Sequence, residues 1–315
     1  MTSNPLVSIV TPSFNQAKFL AETLGSVELQ NHRPIQQIVI DGGSTDGTVE
    51  LLRKWGQRDH DAGYSFEWIS EHDQGHADAL NKGFDRAQGE IVGWLNSDDV
   101  YFDRRVVSTS VGALQAHPDV DVVHGEVAMI SEDSGLQMIW CFPDFNYGRA
   151  LRGYIIPQPT AFFRRCVTDR HRLDPSLHVA IDHIYWLQIG REHKFLKIPR
   201  VQAGDRDHVS RISRLSHEQM METAKQMCAV YGAGAKESAF LQFQDRMWRI
   251  LMRLRGLVHA LSILGRFRSQ DEELAFPLWL DSAYRLLKRQ LSMRVRQRAP
   301  MGPRVGSATG FYAAN

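Results

Sequence analysis

The ten residues IVGWLNSDDV, positions 91–100, are largely apolar and then meet two adjacent carboxylates, Asp98 and Asp99. Two unit charges about 5 Å apart at an effective dielectric near 20 repel by roughly 3 kcal/mol, so a chain that keeps them together must compensate them. A divalent cation does this directly. Hard oxygen ligands suit magnesium or manganese, ions that keep positions open for substrate phosphates. The competing reading is a pair that caps a helix starting near Asp103 or faces solvent in a turn; a place behind an apolar run favours the cation.

Such a pair needs elements to hold it. Four short β-branched or aromatic runs, at 6–14, 36–43, 66–73 and 90–96, alternate with stretches whose apolar residues recur at helical spacing, such as Val49, Leu52 and Trp55 or Ala77, Leu80 and Phe84. Alternating strands and helices predict an α/β fold with a mostly parallel sheet flanked by helices. In such sheets ligands sit beyond the carboxyl ends of the strands, which here read TPSFN (11–15), DGGSTDG (41–47), EHDQGH (71–76) and NSDD (96–99). Asp41, beside glycines that leave room for a flat ring, could accept a hydrogen bond from the imide of uracil. The glycines of DGGSTDGT lack both the Gly-Lys-[Ser/Thr] ending of a Walker loop and the GxGxxG pattern, and are weak evidence by themselves. His72 and His76 do not read as a zinc pair, because Gly75 lies between them and no Glu occupies the general-base position of the protease motif.

A chain of 315 residues with 43 % hydrophobic and 23 % charged residues predicts a globular protein, not a disordered or membrane-spanning one. The start MTSNPLVSIV lacks a basic region and a small-residue cleavage site, so a cytoplasmic location is expected. Cys141, Cys166 and Cys228 have no CxxC spacing and read as buried thiols. The net charge of +1 conceals a basic C-terminal part, with thirteen Lys/Arg against five Asp/Glu from Asp245 to Arg304. Beyond about residue 120, VDVVHGEVAMIS, LQMIWCFPD and TAFFRR read as strands and SLHVAIDHIYWLQIGRE as a helix, with amphipathic helices after Arg214. The expected division is a domain at 1–214, a helical C-terminal region at 215–298 and a disordered tail at 299–315.

Taken together, VSIVTPSFNQAKFLAETLGSV, QQIVIDGGSTDGTVELL, SEHDQGHADALNKGFDRAQGEIVGWLNSDDVY and AIDHIYWLQI resemble glycosyltransferase family 2 on a GT-A fold, over roughly residues 5–210. The resemblance implies an inverting, metal-dependent transferase of bacterial glycan-synthesis type, moving a sugar from a nucleotide-sugar, most simply a UDP-sugar, to a glycan or lipid-linked acceptor. It implies that Pro12, Phe14 and Asn15 line the nucleotide pocket, with Phe14 beside the base and Asn15 on the rim. Asp41 would read the base, while Asp73, Asn81 and Lys82 close over ribose and donor sugar. NSD stands where the family carries DxD. Asp98 is then the first metal ligand, Asp99 a supporting one, and Asn96 and Ser97 ribose and donor contacts, with manganese or magnesium as cofactor. Asn96 replaces the family's first acid.

By the same resemblance Asp182 is the catalytic base, His208 a third metal ligand or phosphate donor, and Arg211 or Arg214 a phosphate clamp. Gln158 could contact a sugar hydroxyl, while Phe162 and Phe163 fill core. In the C-terminal part, DRMWRILMRLRGLVHALSILGRF combines one apolar face with several arginines, as helices lying on an anionic membrane do; peripheral contact there would present a lipid-linked acceptor at the inner membrane face. The abundance of one-faced helices in soluble proteins favours a packed or dimerising appendage instead. No nucleic-acid module is recognisable. Two alternatives stay open, a sugar-phosphate nucleotidyltransferase and a degenerate sugar-nucleotide-binding scaffold. The first would want a basic Gly-rich loop in place of TPSFNQ.

Overall fold

Strand β1 (Val7–Ser13) is buried at every position, and so is β2 (Ile35–Asp41). Strands apolar on both faces need cover on both, and the helices that follow them supply it. Leu20 and Leu24 of α1 (Leu20–Glu28) form one small core with Val39 and with Leu52 of α2 (Thr48–Gly56). With β3 (Tyr64–Ser70), α3 (His76–Arg86) and β4 (Ile91–Trp94) these make a parallel sheet in the order β3-β2-β1-β4. All four expected strands and the three helices between them are present. The computed structural model describes residues 4–153, 156–211 and 216–232, which belong to one compact unit.

The second half is mixed. A two-residue strand β5 (Val100–Tyr101) is followed by α4 (Val106–Ala116), the hairpin β6 (Val122–Ile130) and β7 (Leu136–Trp140), and a short helix α5 (Tyr147–Ala150). Then come β8 (Phe162–Arg164), α6 (Arg165–Arg170), α7 (Ile181–Ile189), β9 (Phe195–Arg206) and α8 (His217–Gly232). The sheet continues β8-β6-β9-β5, with β7 paired to β6. Because β8 runs antiparallel to both β4 and β6, while β9 is parallel to β6, the carboxyl ends of β6 and β9 return to the edge where β4 ends. That topology places the segment after Gly204 beside NSDD.

Helix α7 is buried around most of its circumference, at Ile181, His183, Ile184, Tyr185, Trp186, Leu187 and Ile189, which marks it as an internal helix rather than a surface one. Trp186 packs between Trp94 and Phe163, with ring centroids 6.5 and 5.8 Å away. Phe162 and Phe163 are both fully buried, as expected. Two sequence expectations meet a different outcome or none. Cys141 is buried, but Cys166 is exposed because α6 turns only Val167 and Thr168 inward, and Cys228, in α8, is partly exposed. The helices expected beyond 232, the expected tail and Arg214 fall on residues outside those described. Among the described residues no helix is long and apolar enough to cross a membrane.

Close approach of α3 to β1 depends on Gly83, where an added Cβ would stand 2.2 Å from Val10 Cγ1. Gly83→Ala is expected to cost about 1–3 kcal/mol of stability, the range for overpacking. Gly112→Ala in α4, where nothing lies within 4 Å of the new carbon, should instead stabilise by up to about 1 kcal/mol. Urea denaturation of the two variants measures both effects.

Candidate active site

The first two strand ends are sewn together. Asn15, at φ 53, occupies the left-handed region that asparagine tolerates. Its backbone N–H donates to Ser44 Oγ at 2.7 Å and its side-chain oxygen accepts from Thr45 N at 2.9 Å. Asp46 accepts from Ala17 N at 3.0 Å. Asp41 is fully buried, and its carboxylate accepts from Gly43 N, Ser44 N, Ser44 Oγ and Ser70 Oγ. Four donors match the acceptor capacity of a carboxylate, so Asp41 shapes the loop, and contact with a base would require a serine hydroxyl to turn away. Phe14, 61 % exposed, stands at the rim beside this loop, with Pro12 buried behind it in β1.

Asp73 reaches the same place from β3. Its carboxylate accepts from Gly75 N at 2.8 Å and lies against Gly42, where a Cβ would come within 2.8 Å of Oδ2. Lys82 pairs with Glu71 at 2.9 Å and Asp78 at 3.3 Å. Asn81 is used elsewhere: its amide bonds both the carbonyl and the N–H of Leu173, at 2.8 and 3.0 Å, and so ties α3 to the loop before α7. Asn96 is equally committed. Its oxygen accepts from Trp94 Nε1 at 2.9 Å and faces His76 Nε2 at 3.1 Å, while its nitrogen donates to Gln158 at 2.8 Å. Gln158 in turn donates to the Trp94 carbonyl at 2.7 Å. An acid at position 96 would accept from the indole but could not donate to Gln158, which accounts physically for the amide there.

The acidic corner lies one turn further. Asp98 Oδ2 is 3.0 Å from His208 Nε2, and the His208 ring rests on Phe19 with centroids 4.7 Å apart. Asp99 is nearly buried, and its Oδ1 accepts from Arg206 N at 3.0 Å. Asp205 pairs with Arg211 at 2.7 Å. Burial, followed by the charges of Asp98 and Asp205, pushes the Asp99 carboxyl well above its ordinary value, against the opposing pull of the Arg206 N–H and the Arg211 charge. Burial also raises Asp205; Arg211 counters it, and Asp98 and Asp182 add to the rise. Asp182, in the first turn of α7, is close enough to act electrostatically on both Asp205 and His76. His76 is lowered by burial, with Asp98, Asn96, Asp182 and Asp73 opposing, and so is held neutral near pH 7.

Two residues of this corner escaped the sequence reading. Arg206 is fully buried. Its Nε donates to the Asp98 carbonyl at 2.8 Å, one terminal nitrogen donates to the Glu132 carbonyl at 3.1 Å and Ser134 Oγ at 2.8 Å, and the other pairs with Glu22 at 2.7 Å. Burial opposes ionisation of Glu22, but hydrogen bonds from Ser134 and Arg206 and the arginine charge together hold its carboxyl below the ordinary range. Asp205, the other residue missed, stands in the same run as His208 and Arg211; the signal was four charged or titratable residues within AGDRDH.

A divalent cation fits the donor chemistry here. Asp98 and His208 would hold it, and the surplus negative charge that raises Asp99 would be neutralised. Among the described residues no third His, Cys, Asp or Glu side chain completes a cluster with that pair within 4.8 Å, so oxygens from a substrate could complete the coordination.

The arrangement is an α/β sheet with an acidic cluster at the carboxyl ends of its strands, and comparison with known proteins gives the family. The sequence model of glycosyl transferase family 2 matches residues 8–167, just over half of the chain, and the chain belongs to that family. An uncharacterised glycosyltransferase of Mycobacterium tuberculosis is 39 % identical over 165 residues, 52 % of this chain and 60 % of the relative. A Bacillus subtilis glycosyltransferase named for teichuronic acid biosynthesis is 39 % identical over 95 residues, 30 % of this chain and 36 % of its own. The chain thus spans less than two thirds of the length of these relatives. Among solved structures, S. aureus TarS 1-349 in complex with UDP-GlcNAc superposes with a TM-score of 0.57 at 17 % identity, covering 74 % of this chain and 68 % of that one. The mannosyltransferase PcManGT from Pyrobaculum calidifontis, in complex with GDP-Man and Mn2+, gives 0.53 at 18 %, covering 82 % and 85 %. At these identities the structures establish a shared GT-A-type fold.

Removal of the buried guanidinium in Arg206→Met should cost about 3–5 kcal/mol, because several acceptors lose their donor at once, whereas Glu22→Gln, at a half-exposed site, should cost under about 1 kcal/mol. Asp99 behaves oppositely. Its raised value means that the folded state holds the proton more tightly than the unfolded chain does. The stability it contributes is present at low pH and is lost as pH rises through the raised value. Asp99→Asn should therefore be more stable than the parent at pH 7 without metal and no more stable near pH 3, as read from urea midpoints at the two pH values.

Proposed function

We propose that the protein is an inverting glycosyltransferase that takes a sugar from a nucleotide-sugar, a UDP-sugar in the first instance, and passes it to a hydroxyl of a glycan or lipid-linked acceptor. One observation carries this reading: Asp98, Asp99, Asp205 and His208 gather at the carboxyl end of β4 and β9, with Asp182 within electrostatic reach. The family match supports transfer chemistry, and the UDP-GlcNAc and GDP-Man complexes of fold neighbours support a nucleotide-sugar donor.

The sewn loops at 13–17 and 41–48 form a rigid floor for a nucleoside, and exposed Phe14 offers a face on which a base can stack. Asp73 and Lys82, near the second loop, and Ser97, directly before Asp98 and buried, are assigned to ribose and sugar. A divalent cation bound by Asp98 and His208, with Asp99 behind, would supply charge neutralisation for the departing diphosphate. Arg211 adds positive charge from the same loop. Asp182 accepts the proton of the acceptor hydroxyl as that oxygen attacks the anomeric carbon from the face opposite the leaving group, which inverts its configuration. His76, neutral and held by Asn96, contributes no charge that would weaken Asp182 as a base.

Asp182→Asn is expected to lower turnover by about 10²–10⁴-fold while calorimetric binding of UDP and manganese stays unchanged. Asp98→Asn should abolish the manganese-dependent part of UDP binding. Metal-dependent hydrolysis of UDP-sugars without acceptor reads both effects; parental activity in Asp182→Asn would remove the base assignment, and activity indifferent to manganese would remove the cation.

A further inference from the structure

At the opposite end of the sheet two histidines meet. His171 directly follows α6, and His193 lies in the turn between α7 and β9. Their Nε2 atoms are 3.1 Å apart, with the rings at 86° to one another. Glu192 Oε2 lies 3.6 Å from His171 Nε2, and one ligand atom from each of the three residues lies within 4.8 Å of the others. Tetrahedral zinc with nitrogen and oxygen ligands at about 2.0–2.2 Å sets them roughly 3.3 Å apart, so two of these separations already match. The Glu192 side chain is 50 % exposed and free to close the third by rotation.

The surroundings are also those of a metal site. Both imidazoles are nearly buried, with side chains 10 % and 6 % exposed. His193 Nδ1 is 3.0 Å from Asp121 Oδ2. That carboxylate places the proton on Nδ1 and leaves the lone pair of Nε2 facing His171, the arrangement by which a carboxylate behind a histidine orients it toward an ion. Arg170 also reaches Glu192, at 3.3 Å, but an exposed pair of this kind binds weakly.

We propose that His171, His193 and Glu192 bind one zinc-type ion, completed by water, that staples the end of α6 to the turn entering β9, with Asp121 positioning His193. Imidazole nitrogens select zinc-like ions over the magnesium or manganese suited to the acidic corner. The two places are separate: Asp121 precedes Val122 of β6, whose partner Phe163 pairs with Val92 near the amino end of β4, whereas Asp98 follows its carboxyl end.

The test uses full-length protein without a histidine tag, stripped with chelator and dialysed against zinc with excess magnesium and UDP present. One bound zinc per chain is expected by atomic emission. The melting temperature should rise by about 5 °C at a hundredfold excess over Kd. Cobalt in place of zinc should give the intense visible bands of a four-coordinate site. His171→Gln and His193→Gln should lose the ion. Glu192→Gln and Asp121→Asn, at better-exposed positions that keep the test open if the histidine variants fail to fold, should weaken affinity roughly 10–100-fold. Asp98→Asn should bind zinc as the parent does. Absence of zinc from the parent, unchanged affinity in both Glu192→Gln and Asp121→Asn, or loss of zinc in Asp98→Asn would each overturn the site.

Discussion

Mutual repulsion among the carboxylates of Asp98, Asp99 and Asp205 is the constraint around which one edge of this protein is arranged. Asp99 is nearly buried, and like charges beside it raise its proton affinity. Left alone, such a cluster would protonate or push the loop open. The fold answers with Arg211 on Asp205 and with Arg206, whose backbone N–H caps Asp99 while its guanidinium ties together α1, the β6–β7 hairpin and the Asp98 carbonyl. The arginines leave Asp98 and His208 facing one another at a partly open position, where a cation can relieve the remaining charge.

The remaining scaffold transmits rigidity to that edge. Asp41, Asn15 and Asp46 spend their hydrogen bonds on neighbouring loops, and Asn96 closes a small network with Trp94, His76 and Gln158. Helix α7, with Trp186 among aromatic rings, cannot rotate without opening the core, and this holds Asp182 in register. Opposite ends of the sheet thus present different ligand chemistries: oxygen-rich and acidic where β4 ends, imidazole-rich where β6 and β9 begin.

Much of this was legible from pattern. The apolar runs at 6–14, 36–43 and 90–96 became β1, β2 and β4, because a parallel strand buried on both faces has few other ways to hide its side chains, and the run at 66–73 became the half-buried edge strand β3. Strand β9 was not legible, and the helix expected near Asp103 forms as α4 against its local propensity. The sequence VVSTSVGALQA is rich in β-branched residues and serine, poor helix formers, and is helical because it packs under β6 and β9. FLKIPRVQAGDR carries a proline and charges foreign to a buried strand. It pairs with β6 only through register shifts near Gly125, where a Cβ would lie 2.7 Å from the Arg200 carbonyl.

For the site, residue type and strand-end position pointed to Asp41, Asp98 and Asp99, while Asp73, Asp182 and His208 were singled out by the resemblance to glycosyltransferase family 2. What each side chain does there was decided by tertiary structure. Whether an amide such as Asn81 faces a ligand or Leu173, and whether an arginine such as Arg206 lies in solvent or becomes the buried tie of three segments, depends on partners 92 to 184 residues away in the chain. Periodicity records which face of an element is apolar. It carries no record of which distant loop supplies the other half of a hydrogen bond.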